Sequence, residues 1–265
     1  MGVYNMQTAH WKTSIRSLDE RRDFIVVGNA EETIQFCVKQ FIEIGQEAIE
    51  KRGLFTVALS GGQTPNAIFK KLSQQAYLKQ LDWTKVFCFW SDERSVPPTD
   101  TESNYAMAME SGLAKLPLKR EHIFRMKAES DIEENALDYE AIIREKVSSN
   151  SFDLLMLGMG DDGHTASLFP HTQGLHAKDR LVIANYVPQK HTWRMSLTYE
   201  CIHLAKTICI YAMGKKKANM VAQALTKSYD PDNLPIQRIG TTHHKALWIL
   251  DHEAGEKLLQ IFQRR

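Results

Sequence analysis

The feature that most restricts the fold is a rhythm of short apolar runs. Residues 24–27, 54–59, 86–90, 153–157, 208–211 and 246–250 form such runs, each only four to six residues long. They are rich in β-branched and aromatic residues, and a strand buried on both faces shows this continuous greasiness instead of alternation. The segments between them have helical period. Asn29 can cap a helix whose apolar stripe includes Ile34, Val38, Phe41, Ile42 and Ile49. Further helices are expected over 103–115, 132–147 and 216–226, and Pro65 suits the first turn of another. Strand–helix alternation of this kind implies an α/β fold: a mostly parallel, doubly wound sheet with helices on both faces. The chain shows no internal repeat, and the turn-rich stretch 228–235 is too short for a linker. One domain over residues 1–265 is therefore expected, with 1–22 as an N-terminal extension.

Charge narrows the choice of partner. The 33 basic and 32 acidic side chains leave a formal charge of +1, so no global field draws in nucleic acid or an anionic membrane. Any anion must be held locally. Cys37, Cys88, Cys201 and Cys209 lie in apolar surroundings without a CxxC pair, which fits buried free thiols in a reducing compartment. The first 23 residues lack an apolar signal-peptide core, and no later run is long enough to span a bilayer. A cytoplasmic protein is expected.

In an open parallel sheet, ligands bind beyond the carboxyl ends of the strands, so the residues just after each run matter most. LSGGQTP (59–65) follows one strand and opens a helix. Gly61 and Gly62 let backbone approach a ligand closely, the helix start offers free amides and a positive dipole end, and Ser60 and Thr64 add hydroxyls. It is neither a Walker loop nor GxGxxG, and a plain capped turn is the competing reading. In FWSDERSVPP (89–98) a charge run follows an apolar strand. Such a run is often only a solvated face, but at a strand end Asp92 is a candidate acid or hydroxyl-binding group and Arg94 a candidate anion clamp.

DLLMLGMGDDGHTASLFP (153–170) is the most unusual stretch, with His164 just after a buried run and two acids. A lone histidine is more often structural than catalytic. Here it follows Asp161 and Asp162, and a carboxylate beside an imidazole fixes its tautomer, as a general base requires. The division of labour expected is His164 acting on water, with Asp162 orienting it or the substrate and Asp161 exposed. In 193–198, WRMSLT, alternation places Arg194 on a polar face with Ser196 and Thr198. In the later MGKKKA, Lys217 is the lysine expected to turn inward from a helix start. His171, His176, His243 and His244 show no zinc-site spacing, and no metal is assigned.

Together these segments resemble the 6-phosphogluconolactonase family, carried by LSGGQTP, SDERSVP with Ser103-Asn104-Tyr105, GMGDDGHTASLFP, WRMSLT and GKKKA. The likeness runs from about Phe24 to Asp251. It implies a NagB/RpiA-like fold and cofactor-free hydrolysis of 6-phospho-D-glucono-1,5-lactone to 6-phosphogluconate in the oxidative pentose phosphate pathway. It also implies His164 as general base, with Ser60, Gly61, Gly62, Arg94, Arg194 and Lys217 around the substrate phosphate. The backbone near residues 160–163, or a nearby cation, would steady the oxyanion. The partner implied is a small sugar-phosphate lactone, and the chain is expected as a monomer or weak homo-oligomer. Two positions depart from the family pattern: Asp100 stands where a histidine is frequent, and Ser196 gives RMSLT for RxTLT.

Glucosamine-6-phosphate deaminase is the nearest rival, sharing the fold and a DGH segment. Its DGH is typically followed by a stretch carrying an acid for ring opening, whereas TASLFP carries none. A non-catalytic sugar-phosphate sensor of the same fold is the other alternative. It would need a helix-turn-helix segment, for which the residues before the first strand are too few and unpatterned.

Overall fold

The computed structural model describes residues 14–263. Its first half comprises β1 (Arg16–Ser17), β2 (Arg22–Val26), α1 (Ala30–Arg52), β3 (Phe55–Leu59), α2 (Gln63–Leu72), α3 (Gln75–Leu78), β4 (Val86–Trp90), β5 (Asp92–Arg94) and α4 (Asn104–Ser111). There follow α5 (Ile132–Lys146), β6 (Leu154–Gly158), β7 (Val182–Val187), β8 (Thr192–Leu197), α6 (Tyr199–Leu204), β9 (Ile208–Ala212), α7 (Ala218–Thr226), β10 (Ala246–Leu250) and α8 (His252–Gln263).

Seven strands form the main sheet in the order β1-β2-β10-β9-β6-β3-β4, parallel throughout except for β1. Every residue of β3, β9 and β10 is buried, as continuous apolar runs require of strands covered on both faces. The molecule is thus a single mixed α/β domain. Arg16, Ser17 and Arg22, from the stretch set apart as an N-terminal extension, belong to this sheet. Residues 1–13 of that stretch lie outside the described residues.

Helix α1 begins where Asn29 predicts. Its side chain accepts from the Glu32 amide while Glu32 reaches back to the Asn29 amide, and Gly53 closes the helix at φ 81°. Helix α4 is shorter than expected, because Gly112 breaks it and Leu113–Lys115 turn separately. Helix α7 starts later than expected, since Lys215–Lys217 form a 3-10 turn ahead of it.

A second sheet was not foreseen. Strands β5, β8 and β7 pair antiparallel in that order, and the charged DER run is itself the edge strand β5. Its register sets Asp92 opposite Ser196 and Arg94 opposite Arg194. The small sheet therefore stands over the carboxyl ends of β3, β4, β6 and β9, which open side by side on one edge of the main sheet. All four cysteines are free and buried, and burial pushes the Cys88 and Cys209 thiols up to about 12.

Candidate active site

The cleft begins at the turn between β3 and α2. Gly62 has φ 102°, a backbone state that an L side chain rarely adopts. A Cβ on Gly61 would lie 1.9 Å from Asn104 Oδ1, so only glycine lets that amide lie flush on the turn. Helix α2 then starts with no side-chain cap and no acid in its first turn. Its amino-terminal dipole is left uncompensated toward the cleft.

Across the cleft from this turn, β5 and β8 each contribute an arginine to the wall. Arg94 and Arg194 are cross-strand partners, and the Nε of each is buried without a hydrogen-bond partner among the described residues. Burial, together with the charge of Arg94, pulls the Arg194 pKa below its ordinary value. Arg94 Nη1 donates to the Glu102 carbonyl, and Asp100 Oδ1 accepts from the Glu102 amide at 2.8 Å. Asp100, at the position where the family often has histidine, thus shapes the loop that steers Arg94 and does not line the cleft.

Asp92 is buried yet reaches the cleft. Its Oδ2 accepts from Ser167 Oγ at 2.7 Å and its Oδ1 from Asn104 Nδ2 at 3.2 Å. Glu93 points the other way and caps α4, accepting from the amides of Asn104 (2.7 Å) and Tyr105 (2.8 Å) and from Ser103 Oγ (3.0 Å). Burial raises its pKa despite these donors.

The histidine sits in a ring-like turn beyond β6. His164 Nδ1 lies 2.5 Å from Asp162 Oδ1, and the imidazole stacks on Phe169 with centroids 3.9 Å apart. Its Nε2 has no hydrogen-bond partner among the described residues. Burial by itself would raise the Asp162 pKa, but the hydrogen bond and charge of His164 outweigh it and hold the carboxyl below its ordinary range. A Cβ on Gly160 would fall 2.0 Å from His164 Nδ1, which is why the chain needs glycine there. Two amides expected to steady an oxyanion are already engaged: Gly160 N donates to His164 O and Gly163 N to Gly160 O. Ala166 lines the cleft at φ 46°, a left-handed conformation unusual for alanine.

Lys217 turns inward as expected. Its Nζ donates to the Met159 carbonyl at 2.9 Å and to Asp161 Oδ1 at 2.6 Å. Asp161 is exposed, yet it holds this lysine.

These groups share one cleft of about 880 Å³. Ser60, Gly61, Gly62, Thr64, Asp92, Arg94, His164, Arg194 and Lys217 all line it, while Asp162 stands behind His164. Ser196 and Thr198, expected on one polar face with Arg194, are not open to the cleft. Both are buried, Ser196 Oγ accepting from Ser167 N at 3.1 Å and Thr198 capping α6. Sequence reasoning did not single out Asn104 or Lys190, which also line the cleft. Lys190 rides the β7–β8 hairpin, whose two alternating segments around Pro188 could have revealed it. Among the described residues no cluster of three or more His, Cys, Asp or Glu could hold a metal ion, and no helix is long and apolar enough to cross a membrane.

Comparison with known proteins gives the chain its relatives. The model of the family "Glucosamine-6-phosphate isomerases/6-phosphogluconolactonase" matches residues 28–248. A 6-phosphogluconolactonase of Chlamydia pneumoniae is 40% identical over 222 residues, covering 83% of this chain and 84% of its own. One from Chlamydia trachomatis is 37% identical over 241 residues, covering 91% and 92%. Among solved structures, the 6-phosphogluconolactonase of Thermotoga maritima superposes with a TM-score of 0.74 at 25% identity, covering 86% of this chain and 98% of its own. A monomeric glucosamine-6-phosphate deaminase reaches the same TM-score of 0.74 at 19% identity, which shows a shared fold alone. The chain belongs to the glucosamine-6-phosphate isomerase/6-phosphogluconolactonase family.

Proposed function

We propose that this protein is a 6-phosphogluconolactonase, hydrolysing 6-phospho-D-glucono-1,5-lactone to 6-phosphogluconate as a step of the oxidative pentose phosphate pathway. The carrying observation is a histidine held at one ring nitrogen only, in the same cleft as two arginines whose Nε atoms are buried without partners. Asp162 fixes the Nδ1 proton, leaving Nε2 to accept one from water. The hydroxide attacks C1, and the charge that develops on the carbonyl oxygen is met by unengaged backbone amides of the 158–166 turn or by a cleft cation. When the bond from C1 to the ring oxygen breaks, the imidazolium returns its proton and the C5 hydroxyl leaves. A lactone carbonyl is electrophilic enough that no covalent nucleophile is required.

Arg94, Arg194, Lys217 and the start of α2 would hold the phosphate, with Ser60 and Thr64 adding hydroxyls. Asp92, fixed by Ser167 and Asn104, would accept from sugar hydroxyls. The deaminase reading lacks its acid, because Thr165 to Pro170 carry no carboxylate. The proposal keeps the expectation of a cytoplasmic enzyme, monomeric or weakly self-associating, that needs no cofactor.

His164→Ala tests it. Lactone turnover above the spontaneous background is expected to fall by about 10²–10⁴. Affinity for 6-phosphogluconate, measured by titration calorimetry, should be nearly retained. Undiminished turnover would reject His164 as the base.

A further inference from the structure

Asp161 has no role in the chemistry above, and its side chain is 83% exposed. It nevertheless forms part of the cleft wall and accepts from Lys217 Nζ at 2.6 Å. The hydrogen bond from Lys217 and its charge hold the Asp161 carboxyl below the usual carboxylate range, so it is ionised wherever the enzyme is folded near neutrality. Lys217 is thereby unlike Arg94 and Arg194, whose Nε atoms are left without partners. Its charge already has an anion, and that anion belongs to the chain.

We infer that Asp161 is an internal competitor of the substrate phosphate: its carboxylate occupies Lys217 in the empty cleft, yields it to the phosphate, and reclaims it as product leaves. The inference rests on the reading of the cleft as a sugar-phosphate site. Exposure makes the exchange easy, since the carboxylate can turn into water without any backbone shift. The need for it lies in the charge balance of the wall. The lining of the cleft carries Arg94, Lys190, Arg194, Lys215, Lys216 and Lys217 against the carboxylates of Asp92, Asp161 and Glu253. Such an excess would retain a phosphorylated acid, and the product carries one more negative charge than the lactone. A competitor set on one lysine weakens every phosphate-bearing ligand and shortens product occupancy.

The test is a double-mutant cycle in the full chain with Asp161→Asn, Lys217→Met and both together. Titration calorimetry would use inorganic phosphate, 6-phosphogluconate and, as the ligand without phosphate, D-gluconate. Asp161→Asn should tighten both phosphate-bearing ligands by about two- to fivefold, the range set by an exposed ion pair. D-gluconate should not move, and the gain should vanish in the Lys217→Met background. Weaker or unchanged phosphate binding in Asp161→Asn would overturn the inference. So would a gain that persists without Lys217, because it would then be a general field effect. If the unaltered protein bound none of these ligands, the sugar-phosphate reading would fall first. Binding without the Asp161→Asn gain defeats the inference alone.

Discussion

The two edges of the main sheet treat charge in opposite ways. At the amino-terminal edge the buried carboxylate of Asp153 accepts from Arg52 Nη2 at 2.5 Å, Lys206 Nζ at 2.7 Å and the Thr56 amide at 3.0 Å. Beyond the carboxyl-terminal edge, on the small sheet, Arg94 and Arg194 are cross-strand partners, each with an Nε that nothing in the described chain satisfies. Like charges directly opposite on neighbouring strands destabilise a sheet. One edge completes its charges from within and so ties α1, β3, β6 and β9 together. The other pairs Lys217 with Asp161 but leaves the Nε atoms of Arg94 and Arg194 unsatisfied, which readies the cleft for an anion.

Removing the self-contained charge should produce the larger effect on folding. Asp153→Ala leaves the Thr56 amide buried without its acceptor, and two cations without their anion. Arg52 and Lys206 are 35% and 40% exposed, so water recovers part of their solvation. A loss of about 2–3 kcal/mol is expected, below the cost of breaking a fully buried pair. Urea unfolding should show a lower midpoint at an unchanged slope, with 6-phosphogluconate affinity intact in the folded protein. An unmoved midpoint would erase the distinction between the edges.

Arg194→Met makes the reverse change. Losing a charge-assisted bond of about 1.5–3 kcal/mol should weaken 6-phosphogluconate by roughly 10- to 100-fold. Stability should hold or rise slightly as the repulsion with Arg94 is relieved. Calorimetric titration and thermal melts together decide this. A marked fall in melting temperature would mean that Arg194 serves the fold and not the ligand.

The same contrast explains what the sequence could reveal. The strands of the main sheet were legible because burial on both faces writes itself as a continuous apolar run, and Val86 to Trp90 or Ala246 to Leu250 need no partner to be recognised. Asn29 with Glu32 marked the start of α1 for an equally local reason. The glycine turn, His164 with Asp162, and the inward Lys217 were legible from their places after such runs. Strand β5 was not, since three charged residues become a strand only through pairing with β8, about a hundred residues later in sequence. The facing of Arg94 and Arg194 is a property of that register, and no local pattern contains it. Strand β7 was overlooked although Val182, Ile183 and Val187 are β-branched, because Asn185 and Tyr186 interrupt the apolar run. Asn104 lay within a quoted motif, but its value comes from packing against Gly61, which is a contact in space.

The smallest effect concerns two helix starts at the same edge. Helix α1 carries a full capping box and Glu31 and Glu32 in its first turn, so its dipole is answered from within. Helix α2 has neither cap nor acid. Gln63→Glu would give α2 what α1 already has. A carboxylate in the first turn should favour the helix by about 0.3–1 kcal/mol, and the same charge should repel a phosphate and weaken its binding by about two- to fivefold. The two readings must move in opposite directions, a small gain in melting temperature against a small loss of phosphate affinity. If affinity stays level while the melting temperature rises, the start of α2 lies outside the anion site, and the phosphate is held by Arg94, Arg194 and Lys217 without it.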